Sequence, residues 1–492
     1  MKVRMIIKAR IPSPSPQWGE GRVRGCNSRA EGFSLVIVMV FIVLLSSLAI
    51  IAVKMSGLMA SSMYGESKGK QAYYIAEAAY QHALFKLNQS SVWRGDLLDQ
   101  PFAGGSYSLN ISQASPIDDL TITAVGSVGG TERTIVRVIP PPVKPFIIVA
   151  FAGTGVQGSS GDNGPALSAR FNRPRGLAFD AAENLYIADR SNHRIRKVNK
   201  VTGIVTKVAG TNQGFFGDGG LAVNARLDSP EGVAVNPAGN IYIADTTNCR
   251  ARKVDAITSI ITTYAGTGTC GYALPVPPSD GILATNARLN NPRDTVVDTV
   301  GNIYIADTSN CRIRKVDAVT GLITTFAGTG NCNLSGDGGL AINARINSPR
   351  GLAFDTAGNL YIADRSNNRI RKVNMVTKII TTVAGTNNGF AGDGGLATSA
   401  RLNQPQGVAI NQFGTIYIAD TNNNRIRKVD PATGFISTYA GTGTAGNAGD
   451  GGVATGAQLN APARVLAYDD VDGHLFVSDT NNNRVREVTN VY

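Results

Sequence analysis

Six aspartates, Asp189, Asp245, Asp307, Asp364, Asp420 and Asp479, are each followed five residues later by an arginine, at Arg194, Arg250, Arg312, Arg369, Arg425 and Arg484. A carboxylate next to a guanidinium serves acid–base chemistry or architecture. Six equivalent copies argue for architecture, as hydrogen bonding across a tight turn. A second set of carboxylates lies in Gly-Asp-Gly-Gly strings at Asp218, Asp337, Asp393 and Asp450, with weaker versions at Asp162 and Asp280. Those four are the candidate binding residues. Calcium favours such oxygen-rich loops, but the alternating acids and closing Glu of an EF-hand are missing. Turn chemistry accounts for the string without a metal, so no cofactor is expected, with calcium as the alternative. Cys249 and Cys270 are 21 residues apart, as are Cys311 and Cys332. Both pairs occupy the same two places in consecutive repeats, the turn before a third strand and the connector after a fourth. Antiparallel pairing brings those places together. Two disulfides are therefore expected in an oxidising compartment, with buried free thiols as the alternative. Only three histidines occur, His82, His193 and His474, and no Cys-x-x-Cys, which leaves zinc without ligands. No Gly-x-Ser-x-Gly elbow is present either.

The elements that must position these residues repeat. Prolines 174, 230, 292, 349, 405 and 462 open six units at spacings of 56, 62, 57, 56 and 57 residues. Unit four reads as apolar strand Gly351–Asp355, turn, strand Leu360–Asp364, turn, strand Arg369–Asn374 and fourth strand Ile379–Ala384. Composition agrees: Gly is 56 of 492 residues and only 17% are charged, which excludes a helical bundle. Four strands per unit predict a mostly β chain built as a six-bladed propeller. Arg196, Lys197 and their counterparts form basic rows on the third strand, expected to face solvent. The net charge of +12 includes +5 in residues 1–32, and the basic strand lacks interleaved aromatics for base stacking. A nucleic-acid partner is not expected. Connectors and second-to-third-strand turns emerge on one face, where a ligand binds there or at the channel mouth.

The strings PRGLAFDAAENLYIADRSNHRIRKV (174–198) and PQGVAINQFGTIYIADTNNNRIRKV (405–429) resemble the NHL repeat, and His193 stands where that family's eponymous His lies. The resemblance covers all six units and implies a six-bladed NHL propeller over 146–492. Unit six stops after its third strand, while FIIVAFAG (146–153) matches a fourth strand with no blade before it. That strand is expected to close the ring and remove its open edge.

At the other end, Phe33 to Val53 is 21 residues without charge, about 31 Å as a helix, enough to cross a bilayer. Basic residues precede it, so the chain after Lys54 is expected outside the cytoplasmic membrane. Glu31-Gly32-Phe33-Ser34-Leu35 ahead of this run resembles the processing site of type IV prepilins. The resemblance implies cleavage after Gly32 by prepilin peptidase, N-methylation of Phe33 and packing of the helix among other pilin or pseudopilin subunits. The plain alternative is a signal anchor. Pilins carry Glu where this chain has Ile37; PilX-type minor pilins and the K-type minor pseudopilin share that lack, which suits a filament tip. The 32-residue leader is long for the family, and a start near Val23 would shorten it. A helical stripe follows (Ala72, Ile75, Ala79, Ala83, Leu87), and 73–87 resembles PilX-type proteins. Three β patterns, 106–113, 120–128 and 133–139, complete a small α+β head, with a Gly129-Gly130 hairpin. The proline-rich 140–145 reads as a spacer.

The expected organisation is thus leader 1–32, membrane and filament helix 33–54, pilin-like head 55–139, linker 140–145 and propeller 146–492. The expected function is a minor pilin or pseudopilin displaying a propeller that binds a surface, a glycan or a protein, with no enzymatic activity. The alternatives are a propeller hydrolase or lyase with a channel metal and a membrane-anchored scaffold outside any filament.

Overall fold

The computed structural model describes residues 68–89, 97–102, 104–112, 120–139, 146–272, 280–469 and 474–490. The leader, Gly32-Phe33, the apolar run 33–53 and the linker 140–145 lie outside them. Among the described residues no helix is long and apolar enough to cross a membrane. The chain divides into two compact units between Val143 and Lys144.

In the first unit, α1 (Lys68–Gln89) forms where Ala, Gln and Lys are frequent and Gly and Pro are absent after Gly69. Of its expected stripe, Ala72, Ile75, Ala79 and Ala83 are buried, the last three packing on Tyr107, Leu109, Ile122 and Ala124, while the Leu87 side chain lies outside the described ones. Those side chains belong to an antiparallel sheet in the order β1 (Leu97–Phe102), β2 (Gly105–Ser112), β3 (Leu120–Val128) and β4 (Thr131–Ile139). The helix rests directly on β3: a Cβ at Gly126 would stand 2.1 Å from the Ala72 carbonyl oxygen. The β3–β4 turn is Gly129-Gly130, both at positive φ, as a two-residue hairpin requires. β1 was not legible in the sequence, because Pro101 interrupts its pattern; at the sheet edge the missing N–H costs nothing. His82 lies half-buried on α1, its Nδ1 2.5 Å from the Tyr107 hydroxyl.

The second unit is a ring of six sheets. In unit one the strands are Pro174–Phe179, Leu185–Asp189, Arg194–Val198 and Ile204–Ala209, joined in sequence order. The first strands of successive units touch, and that of unit six (Pro462–Asp469) touches that of unit one, so the circle closes. These strands approach so closely that a Cβ on Gly176 would meet the Glu231 carbonyl oxygen at 2.5 Å. Between sheets the apolar layer is continuous: Tyr186, Ala188 and Ile195 of unit one pack on Val233, Ile241 and Ile243 of unit two. The ends of the ring are joined as expected. β5 (Phe146–Ala152) runs antiparallel to Arg484–Asn490, pairing Ala152 with Val485 and Ile148 with Val488. Each connector then covers the outer edge of the sheet it leads into; Gly220-Leu221, for example, pairs with Ile260 and Ile261. No fourth strand is left as an open template for another chain.

Candidate functional site

The six repeated aspartates end the second strands and are wholly buried. Each accepts from backbone and side-chain donors at the following turn. Asp245 takes the Asp228 N–H at 2.7 Å and the Asn248 amide at 2.9 Å. Its ion pair, however, is made with the arginine seven residues on. Arg252 Nη1 lies 3.3 Å from Asp245, and the same holds for Asp364 with Arg371 (3.3 Å), Asp420 with Arg427 (3.4 Å) and Asp479 with Arg486 (3.4 Å). The expected five-residue pairing is thereby corrected. The nearer arginines turn outward instead, Arg250 over the Phe215 ring at 3.7 Å and Arg425 over Phe390 at 3.8 Å.

The row Arg196, Arg252, Arg314, Arg371, Arg427 and Arg486 was expected to face solvent and is instead almost entirely buried. The cause is the connector, which folds over the third strand and brings a second carboxylate. Arg371 meets Asp337 at 2.8 Å, Arg427 meets Asp393 at 2.5 Å, Arg486 meets Asp450 at 2.7 Å, and Arg252 pairs with Asp218. Asp162 and Asp280 serve Arg196 (2.8 Å) and Arg314 (2.6 Å) in the same way. Threonine hydroxyls complete the shell, Thr382 donating to Asp337 and Thr438 to Asp393, both at 2.6 Å. The structure therefore places the four candidate binding residues in ion pairs that pin connectors to blades. Among the described residues no cluster of three or more metal-ligating side chains occurs. Burial pushes the inner carboxyls up, Asp189 to about 7 and Asp245, Asp307, Asp364, Asp420 and Asp479 to about 6, against the pull of their donors.

The turn after each second strand ends in a residue with left-handed backbone: His193, Cys249, Cys311, Asn368, Asn424 or Asn483. Asn tolerates this conformation best, and its side chain ties one blade to the next. Asn368 Oδ1 accepts the Gln404 N–H at 2.9 Å, Asn424 Oδ1 that of Ala461 at 2.9 Å, and Asn483 Oδ1 that of Arg173 at 3.0 Å, across the closure. His193 Nδ1 takes the same role toward Ser229 at 3.1 Å; burial lowers its pKa and keeps the ring neutral, as an accepting Nδ1 requires. His193 is therefore a structural link. It sits on the connector face, whereas His474 opens a second strand at the opposite end of its blade. In units two and three the position is cysteine, and the tie becomes covalent: Cys249–Cys270 and Cys311–Cys332 are disulfides with Cα atoms 5.3 Å apart.

What the repeat pattern conceals lies on the axis. The residue after each opening proline is Arg175, Glu231, Arg293, Arg350, Gln406 and Ala463, varied where its neighbours repeat. The residue after each inner aspartate is Arg190 and Arg365 in units one and four but Thr in the others. Among the described side chains, those of Arg175, Arg190, Glu231, Arg293, Arg350, Arg365 and Gln406 are drawn together on the connector face. Glu231, fully buried, receives Arg293 Nη1 at 2.6 Å and Arg190 Nε at 3.1 Å, with Arg175 Nη1 at 3.6 Å. Gln406 Oε1 receives Arg350 at 2.6 Å and Arg175 at 2.9 Å, the latter reaching past unit six. Arg365 donates to Gln404. Below them Asp294 stands where units one, two, four and five have glycine, and accepts the Leu352 N–H at 2.9 Å. The irregular residues among regular repeats were the signal that could have identified this site.

Residues 209–279, 329–390 and 387–447 match the Teneurin NHL domain, and residues 171–198 and 289–316 match the NHL repeat. The chain is 32% identical over 340 residues to Protein SUPPRESSOR OF QUENCHING 1, chloroplastic, of Arabidopsis thaliana, covering 66% of this chain and 31% of that protein. It is 30% identical over 342 residues to NHL repeat-containing protein 2 of Bos taurus, covering 64% and 46%. Identity to human Teneurin-1 is 30% over 290 residues, 51% of this chain and 10% of that one. The chain thus spans less than half of each of these relatives. Among solved structures, an auxiliary nutrient binding protein from Bacteroides ovatus superposes with a TM-score of 0.53 at 16% identity, over 78% of this chain and 89% of its own. A protein of unknown function from Bacteroides thetaiotaomicron gives 0.52 at 18%, over 76% and 82%. These likenesses speak for the fold alone. With its repeats matched and its six sheets closed in a ring, the chain is an NHL-repeat protein of propeller-like architecture.

Proposed function

We propose that this protein is a minor pilin- or pseudopilin-like subunit that displays its NHL propeller outside the cytoplasmic membrane as a binding module rather than an enzyme. The N-terminal part of the reading is supported by Gly32-Phe33 ahead of an uncharged 21-residue run and by a helix packed on a small antiparallel sheet after it. Two disulfides suit an oxidising compartment. The observation that carries the binding reading is the axis mouth, where residues that break the repeat bring five guanidiniums together on the face that also bears the connectors. Its partners are prepilin peptidase, neighbouring subunits and an extracellular glycan, protein or surface.

Mass spectrometry of the mature chain is expected to find N-methyl-Phe33 as the first residue. An uncut leader would remove the pilin reading and leave a membrane-anchored scaffold. A glycan array and a surface-protein capture with the full chain test the display reading: binding is expected to fall when Phe216, 66% exposed on a connector, is changed to Ser. Binding to no glycan and no surface protein would reject the module.

A further inference from the structure

The axis mouth carries more positive charge than the blades require. The ion pairs that hold the blades are repeated in every unit; the axis residues are not, so their charge is no by-product of repetition. Units one and four share Pro-Arg-Gly-Leu-Ala-Phe-Asp, 175 residues apart, and units two and five share the same spacing with Pro-Glu-Gly-Val-Ala-Val-Asn and Pro-Gln-Gly-Val-Ala-Ile-Asn. The mouth therefore has an approximate twofold relation in which Arg175 corresponds to Arg350, Arg190 to Arg365 and Glu231 to Gln406. On one side the carboxylate of Glu231 meets three arginines. On the other side its counterpart is the neutral Gln406, whose amide oxygen accepts from Arg350, while Arg365 donates to Gln404.

Among the described residues the mouth holds Arg175, Arg190, Arg293, Arg350 and Arg365 against Glu231 and Asp294, an excess of three positive charges. Both carboxylates are buried, Glu231 wholly and Asp294 at 1% exposure, so neither is presented to the opening. Three of the guanidiniums are partly exposed, the side chains of Arg175, Arg190 and Arg293 at 17%, 25% and 21%, while Arg350 is more enclosed. The Nε atoms of Arg293 and Arg365 are buried with no protein acceptor. Burial, and then the neighbouring Arg293, depress the pKa of Arg365 against the weaker pull of Glu231. Gathered cations of this kind are costly without an anion, and planar guanidiniums bind carboxylate and phosphate oxygens in pairs.

We infer that the axis mouth binds a small, multiply charged oxyanion, a compact polycarboxylate or phosphate-bearing molecule, seated between Arg350 and Arg365 on the side where Gln406 replaces the carboxylate, with Arg293 at its border with the Glu231 side. The inference deepens the binding reading and rests on it. The side chains that meet here come from five different units, which favours a compact ligand over an extended polyanion.

Calorimetry and thermal unfolding of the full-length protein at low ionic strength, with citrate in one arm and inorganic phosphate in the other, test this. One saturable site and a higher melting temperature are expected with at least one probe; the tighter arm tells carboxylate from phosphate chemistry. Gln406→Glu restores the missing carboxylate within reach of Arg350 and Arg175. It is expected to weaken the anion at least tenfold while the anion-free melting temperature holds or rises. Arg365→Gln is expected to weaken it similarly. Binding of both probes unchanged in both variants means surface ions only and overturns the inference, as does a response to neither probe. Binding of heparin or an oligonucleotide, with neither small anion bound, also overturns it, in favour of an extended polyanion. If array or capture ligands bind with equal strength to Gln406→Glu while the anion arms stay flat, the module stands and only the anion site falls.

Discussion

Arg371 has no contact with solvent, yet it carries a full charge between Asp337 on a connector and Asp364 at the end of a strand. A buried ion pair of this kind adds little over an apolar substitute, but losing one partner leaves a charge uncompensated. Asp364→Ala removes the ion pair together with the acceptor for the Asn347 N–H (2.8 Å) and the Asn367 amide. It is expected to cost about 3–5 kcal/mol, measured by denaturant unfolding. Ser366→Ala in the neighbouring turn is expected to cost far less. The sequence shows every member of this network as a repeated letter. It does not show which letters meet, because Asp and both arginines share one face of the strand pair and only the connector decides which guanidinium is enclosed.

At the scale of elements, the hairpins between third and fourth strands and the two cystine-bearing blades make different demands. Asp255, Asp317 and Asp430 each accept N–H and hydroxyl donors from their own turns, Asp317 from Val319 and Thr320, which hold their carboxyls below the ordinary value. A lowered folded pKa contributes stability above the unfolded value that is lost as pH falls through the folded one. The six inner aspartates act oppositely: with folded values raised to about 6–7, their contribution is complete below the unfolded value and is lost as pH rises through that range. The melting temperature is accordingly expected to be highest near about pH 4 and to fall as pH rises from there through about 6–7. A maximum above pH 8 would reject this balance. Each disulfide closes a loop of 21 residues, for which chain entropy predicts a loss of about 3 kcal/mol on reduction. The loss is expected to appear first as hydrogen exchange in units two and three, since the other units are tied by side-chain hydrogen bonds.

For the whole second unit, integrity depends on a strand that precedes all six repeats. β5 buries Ile148 and Ala152, while Phe146 packs on Tyr439 and Phe151 on Phe476, both with ring centroids 4.7 Å apart. Burying a large apolar side chain contributes about 1.5–3 kcal/mol, so removing Ile148 and two half-buried phenylalanines costs about 3–9 kcal/mol. That is comparable to the stability of an ordinary domain. A chain beginning at Gly155 is therefore expected to aggregate or to melt far below one beginning at Pro145. Equal stability of the two by calorimetry would show that the ring closes without β5.

Six units, their strand order, the closing strand and both cystines follow from local pattern: period-two alternation, turn residues at fixed offsets and the recurrence of a 56–62-residue unit. Each of these depends on residues close in sequence or on exact repetition. The burial of the arginine row, the use of the Gly-Asp-Gly-Gly carboxylates as its partners and the cluster on the axis do not. Arg175 and Gln406 are 231 residues apart and meet only because six sheets close a circle. A ring places equivalent positions of every blade around one axis, so the few positions that differ are gathered at a single point. Tertiary structure alone turned those irregularities into a charged site.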